Sequence, residues 1–439
     1  MKKPWQRIIG DLIIFWGLCV SCSVQAELKA GLASVDITPD PSKMKITLGG
    51  YGARMGKKAK GVNDPIYAKA IVFEADDKKF TLVAIDLVEV SNELRQAVLK
   101  KLEGTDFNTD NLFISATHTH SAPGAIENII IAEIVFGAYS QKLVDFLADG
   151  IVQAIKQADA RLTPIELKFA QADIPGFTRN RRVLNYNYDT RRFGAEDNLI
   201  PNKGITDDTL SLIRLDDKTG QQIGVIVHFA THPTILGADN FLISSDWPGV
   251  MRKKIEANYP QTVVMFLNGA EGDQAPVMPA TEDDFQAMEI FGKKLAEKAL
   301  PLIESAVRIN SEPVSYKIEW RKINYPAMGF GVKFPKPLTQ LWFGPMPFGG
   351  IRMGEMILLT APVEAISEIG MTIKQSALGF GYKYPIYVGL TNDHFLYCTT
   401  AEEYKKGGYE ADSTMWGELE AGMMVGEMIF LARELSEVQ

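Results

Sequence analysis

The stretch 111–124 reads NLFISATHTHSAPG. An apolar run closes on a polar turn that carries His118 and His120, which predicts a buried strand presenting His-Thr-His at its far end. In α/β proteins, function concentrates just beyond the carboxyl ends of strands. A second stretch, IVHFATHPTIL (226–236), has the same design, with His228 and His232. Only five histidines serve all 439 residues, and four of them fall in these two clusters. Neutral imidazole is the commonest protein metal ligand, and residues two or four apart on a strand project to the same side. A lone histidine beside a strand is more often a hydrogen-bonded core residue. Two clusters in the same context favour a metal.

Working outward, strand and helix alternate. IYAKAIVFEA (66–75) and FTLVAIDLV (80–88) read as strands around a turn at Asp76-Asp77, SNELRQAVLKKLEG (91–104) as a helix, and 141–160 as a strongly amphipathic helix. The second half recapitulates this order: a strand at 223–231, a helix at 247–259, a strand at 262–268 and a helix at 284–306. Strands follow at 314–323, 352–361 and 384–391. Helices interleaved with buried strands predict an α/β fold of layered mixed sheets flanked by helices. Residues 174–207 and 326–350 read as long loops. The second holds Phe330, Phe334, Trp342, Phe343 and Phe348, which either shelter an acyl chain or pack on the core.

The N-terminus reads as an export signal: Lys2, Lys3 and Arg7, then the apolar stretch 8–20, then the small-residue site Val24-Gln25-Ala26. The expected mature domain runs from 27 to 439, periplasmic or secreted, with a lipoprotein signal ending at Cys22 as the alternative. Cys19 and Cys22 lie in the signal, so Cys398 is left without an intrachain partner and stability must come from a large core. The net charge of −8, without long charge runs, argues against nucleic acid as a partner.

Segments in the same order over most of the chain resemble the amidase domain of the neutral ceramidases, zinc enzymes that split ceramide. NLFISATHTHSAPGA is similar to that family's Thr-His-Thr-His-Ser-Gly-Pro-Gly, and FTRNRRVLNYN to its Asn-Arg-Ser…Tyr…Asn loop. HFATHPT, ISSDWPG and EGDQAPV resemble Phe-Ala-x-His-Pro/Gly-Thr, Ser-Ser-Asp-x-x-Gly and Gly-Asp-Val-Ser-Pro-Asn. TAPVEAISEIG resembles Pro-Gly-Glu-Phe-Thr, and TNDHFLYCTTAEEYKKGGYEADST an Asn-x-Tyr-x-x-Tyr-x-Thr-Thr ending. Carried over position by position, the resemblance implies one zinc ion held by His118, His232, Glu364 and Tyr397. It further implies His120 as a proton shuttle, Arg181 and Tyr409 beside the substrate carbonyl, and Asp246 and Asp273 as carboxylates that orient the histidines. Two imidazoles and a carboxylate hold zinc while leaving room for a water whose pKa falls to about 7. The implied partner is a lipid or other small-molecule substrate, with peripheral membrane contact.

The chain departs from the pattern where Ala275 replaces the serine of Gly-Asp-Val-Ser-Pro-Asn. His228 is extra. The expectation is an exported zinc hydrolase cleaving the amide of a ceramide-like or other N-acyl compound. The alternatives are a zinc esterase or deacylase on a carbohydrate or glycolipid, and a binding protein that keeps the metal. Other sites fit less well. Ala122 breaks the binuclear His-x-His-x-Asp-His signature, Gly49-Gly50-Tyr51-Gly52 lacks the Lys-Ser/Thr of a nucleotide loop, and no Gly-x-Ser-x-Gly occurs.

Overall fold

Period-two alternation builds the central sheet. Along the strand Tyr67–Ala75, Ala68, Ala70 and Val72 face one way and Ile71 and Phe73 the other, so both faces are covered. The computed structural model describes residues 27–129, 133–182, 204–281, 283–323 and 344–438, with 327–329, 332–333, 335 and 339 between the last two. The expected export signal (1–26), the middle of the first expected loop (183–203), and Phe330, Phe334, Trp342 and Phe343 lie outside the described residues.

From edge to edge the sheet runs Val263–Asn268, Gln222–Phe229, Thr209–Asp217, Thr163–Asp173, Lys29–Asp36, Tyr67–Ala75, Lys78–Ile85 and Leu112–Ala116. Each half is an antiparallel meander of three strands followed by a helix and a parallel edge strand. The helices are Asn92–Lys101 in the first half and Asp246–Asn258 in the second. The recapitulated order read in the sequence is therefore a repeated topology. Asp76 and Asp77 make the expected turn, both at positive φ. Ser91 caps the first crossover helix, its Oγ accepting from Leu94 N at 3.2 Å.

A second sheet, Val314–Arg321, Met346–Met353, Met356–Thr360 and Tyr384–Val388, packs on one face of the first. Ile71, Phe73, Phe80 and Phe113 meet Ile351, Met353, Leu358 and Val388 there. Helices Asn92–Lys101 and Gln141–Asp159 cover the first half's other face, Asp246–Asn258 and Asp284–Ser305 the second half's. Ser367–Leu378 and Glu420–Ser436 cover the second sheet. The result is four layers, helix–sheet–sheet–helix, as the α/β reading expects.

The sequence reading erred in places. Residues 352–361 are not one strand but the end of a hairpin that turns at Gly354, φ +58, where a Cβ would lie 2.2 Å from Asn310 O. Phe348, read as loop, is fully buried in the strand Met346–Met353. Its neighbours Gly349 and Gly350 disguise that strand. A Cβ at Gly349 would lie 2.3 Å from Thr360 Oγ1, so the close approach of the hairpin partner demands glycine. The central strands Lys29–Asp36 and Thr163–Asp173 were not anticipated.

The segment 389–392 stitches the sheet's two edges together. Gly389 N donates to Asn268 O at 3.1 Å, Ala116 N to Leu390 O at 3.1 Å, and Asn392 N to Ile114 O at 2.8 Å. This closure brings both halves' edge strands, and the turns beyond them, to one place.

Candidate metal centre and active site

Strand ends deliver the site. His118 and His120 follow Leu112–Ala116, and His232 follows Gln222–Phe229. Glu364 and Tyr397 enter as register partners in a two-residue parallel ladder, Glu364–Ala365 with Tyr397–Cys398. At His118 the backbone turns left-handed, φ +71, and its ring meets that of His120 at 4.7 Å between centroids.

The polar atoms converge. His118 Nε2 and His232 Nε2 each lie 3.2 Å from Glu364 Oε2, and Tyr397 Oη lies 3.5 Å from His232 Nε2. His120 Nε2 lies 3.1 Å from His118 Nε2. Ligands about 2.0–2.2 Å from a tetrahedral zinc are about 3.3–3.6 Å apart, so contacts of this length are those of atoms able to share one ion. Backbone carbonyls aim the rings: His118 Nδ1 is 2.6 Å from Val88 O, and His232 Nδ1 is 2.9 Å from Gln274 O. With the Nδ1 proton donated to a carbonyl, each Nε2 lone pair faces the cluster. Burial, then the neighbouring charge of Arg181, lowers the His232 pKa to about 4, and burial with the flanking histidines holds His120 well below its ordinary value. Burial pushes the Glu364 carboxyl up, but His118, His232 and His394 outweigh it and hold it well below the usual carboxylate range. His232 and His120 are thus held neutral beside an ionised Glu364 carboxylate, the protonation state a divalent cation requires of its ligands.

Arg181 organises the phenol. Its Nη2 donates to Tyr397 Oη at 2.9 Å and its Nε to Glu410 Oε1 at 2.7 Å. Glu410 in turn accepts from Arg182 at 2.8 Å. Arg181 is positioned by the short strand Thr178–Asn180, which pairs with Gln274–Pro276 and sets Ala275 opposite Arg179. A cavity of about 690 Å³ opens over the cluster, lined by Tyr51, His120, Arg181, Ala275, Met278 and Tyr409 among others. The Tyr409 side chain is exposed, with its ring 5.3 Å from that of Tyr397. Gly50, φ +87, gives His120 its room, since a Cβ there would lie 2.4 Å from His120 Nδ1. Arg54, buried, clasps the surrounding loops by donating to the carbonyls of Gly49, His120, Gly237 and Asn240.

Three sequence expectations are corrected. His228 is outside the cluster; its Nε2 pairs with Tyr387 O at 2.7 Å, and it is a core histidine. Asp246, the first residue of its helix, accepts from Leu236 N in the preceding loop and from Trp247 N, and touches no histidine ring. The Asp273 carboxylate ties Asn180, Gln274 and Ser367 together, again with no histidine contact. Backbone carbonyls do the orienting work that was expected of these two aspartates.

Three residues escaped the sequence reading. His394 lies between carboxylates, its Nε2 3.1 Å from Glu364 Oε1 and its Nδ1 2.8 Å from Glu89 Oε2. Glu271 is fully buried and close to His118 and Glu364. The available signal was an acidic residue directly beyond an apolar strand, as in VAIDLVEV and VVMFLNGAEG. His394 was masked because it falls at the first tyrosine of the Asn-x-Tyr-x-x-Tyr pattern.

Residues 28–278 match the family described as neutral/alkaline non-lysosomal ceramidase, N-terminal. The neutral ceramidase of Pseudomonas aeruginosa is 24% identical over 88% of this chain and 69% of its own length. That of Drosophila melanogaster is 24% identical over 90% and 72%. The crystal structure of the Pseudomonas aeruginosa enzyme superposes with a TM-score of 0.81 at 22% identity, covering 94% of this chain and 75% of that one, so the fold is shared. With more than half its length matched by the family model, this chain belongs to the neutral/alkaline non-lysosomal ceramidases.

Proposed function

We propose that this protein is an exported, zinc-dependent amidase that cleaves the amide bond of ceramide or a related N-acyl compound. The observation that carries the reading is the convergence of His118, His232, Glu364 and Tyr397, linked by contacts of 3.2 to 3.5 Å, beside an open cavity. Zinc bound there supplies Lewis acidity, which acidifies water and polarises a carbonyl. The chain's own residues do the rest. Arg181 holds the Tyr397 phenol by its oxygen, and its positive charge opposes the burial that otherwise holds the phenol pKa well above its ordinary value. His120, buried and neutral, accepts a proton at Nε2 and returns it to the leaving amine. Tyr409 donates from Oη to the developing oxyanion, and Arg181 adds its field. Tyr51, Ala275, Pro276 and Met278 give the cavity an apolar flank suited to an acyl chain, consistent with a substrate drawn from a membrane surface. Among the described residues no helix is long and apolar enough to cross a membrane. Export rests on the pattern of residues 1–26.

One observation favours a changed substrate. Ala275 lines the cavity where the family pattern has serine, which removes one hydroxyl from the substrate's surroundings. An ester or a different N-acyl compound is the second reading. The test is zinc content of the purified mature chain, with chelator-sensitive turnover of matched fluorogenic N-acyl amides and acyl esters. The amide reading expects about one zinc at this centre and amide turnover that chelation abolishes. Ester turnover alone transfers the assignment to the second reading, and zinc without any turnover points to binding.

A further inference from the structure

Glu364 faces two ways. Its Oε2 serves His118 and His232, while its Oε1 lies 3.1 Å from His394 Nε2. Behind His394 stands another set of ligand-type atoms: one from each of His394, Glu89 and Glu127 lies within 4.8 Å of the others. Glu89 is fully buried, and its Oε1 has no hydrogen-bond partner. Its other oxygen, Oε2, is 2.8 Å from His394 Nδ1. Two carboxylates this close, one of them fully buried, are costly unless a cation lies between them. The proposed zinc chemistry gives Glu89 and Glu127 no task, and Glu364, already committed to the first cluster, brings no positive charge.

We propose that Glu89, Glu127 and His394 form a second divalent-cation site, joined to the first centre through Glu364. Two carboxylate oxygens and an imidazole nitrogen suit zinc or manganese. The cation takes the place of the Nδ1 proton of His394. The ring then donates its Nε2 proton to Glu364 Oε1, so that Oε2 stays turned toward His118 and His232. A carboxylate bound to the histidine of a neighbouring metal is an established way to fix a ligand's orientation. The same strand-end logic supplies this site, since Glu89 lies beyond Lys78–Ile85 and His394 beyond Tyr384–Val388. The inference is independent of which bond the cavity hydrolyses.

The test counts metal rather than activity. The mature chain is stripped with chelator, dialysed to equilibrium against zinc or, separately, manganese, and analysed for bound metal. Two ions per chain are expected in the parent. Glu127→Gln and Glu89→Gln should each hold one, His232→Ala should hold one, and the His232→Ala/Glu127→Gln double variant none. Glu127 is only partly buried, so its glutamine variant keeps the test open if Glu89→Gln fails to fold. Manganese in His232→Ala should give a bound-ion resonance signal that Glu127→Gln abolishes. A parent holding one ion, with no loss in Glu127→Gln, overturns the proposal and leaves His394 as a charged bridge between two carboxylates. Two ions in both parent and Glu127→Gln overturn the ligand assignment. Failure of the first centre shows separately, as a His232→Ala chain that keeps the parent's metal content.

Discussion

At the scale of residues, the ligand assignment makes the sharpest demands. His118 and His232 are each fixed by one carbonyl and aimed at one carboxylate oxygen. Replacing either with alanine should weaken zinc binding by more than the about 10–100-fold typical of changing a ligand's hydrogen-bond partner. Elemental analysis beside circular dichroism checks this, and normal zinc content in a folded variant removes that residue from the ligand set. Ala275 tests substrate choice. Ala275→Ser restores a hydroxyl to the cavity wall and should raise ceramide turnover by roughly tenfold, the worth of one hydrogen bond of about 1.4 kcal/mol. Unchanged kcat/KM would transfer the specificity question to residues 326–350. The His-Thr-His motif was legible because its members are sequence neighbours. His228 misled because the letters alone do not reveal that its ring pairs with a core carbonyl at 2.7 Å.

At the scale of elements, caps and turns followed local rules, and buried charge did not. Ser91, Ser140 and Asp283 each cap a helix through their own side chains. Glu420 opens the last helix, yet it is 1% exposed, and its Oε1 has no hydrogen-bond partner. Burial pushes its pKa up to about 8, against the backbone N–H of Trp416, which favours the ionised form. The folded pKa exceeds the unfolded value near 4.5, so the folded state binds more protons between them. The contribution to stability is therefore full below about pH 4.5 and is lost as pH rises through about 8. Glu420→Gln removes this dependence. Its melting temperature relative to the parent should climb from pH 5 to pH 8, and a constant difference would show that Glu420 is ionised in the fold. Strands rich in glycine, such as Met346–Met353, stayed hidden because close approach to a partner, rather than local propensity, selects their residues.

At the scale of the whole molecule, the two topological halves are locked by a buried ion pair. Arg252, on the second half's crossover helix, donates from both Nη atoms to Asp86, beyond a strand of the first, at 2.7 and 2.6 Å. Asp86 also accepts from Thr117 Oγ1, one residue before His118. Asp86→Asn leaves a buried guanidinium without its counter-charge and should cost about 3–5 kcal/mol in urea unfolding. A loss below about 1 kcal/mol would mean that the halves are held by apolar packing alone. The stitching segment 389–392 belongs to the same scale, since it couples the second sheet to both edges of the first.

What the sequence by itself determined is short in range: the alternation that makes strands, the spacing that makes amphipathic helices, the repeated order of the two halves, and histidines placed just past apolar runs. The family segments extended this to Glu364 and Tyr397, by resemblance and not by spacing. The same resemblance chose His232 over His228, which spacing could not do, and the tertiary structure turned the His228 ring to a core carbonyl. It also recruited His394, Glu89 and Glu271, and it gave backbone carbonyls the task expected of Asp246 and Asp273. The physical reason is that a polar side chain's role depends on its partners and its dielectric. Both are set by contacts between residues hundreds of positions apart, such as His394 with Glu89, whose separation in the chain is 305.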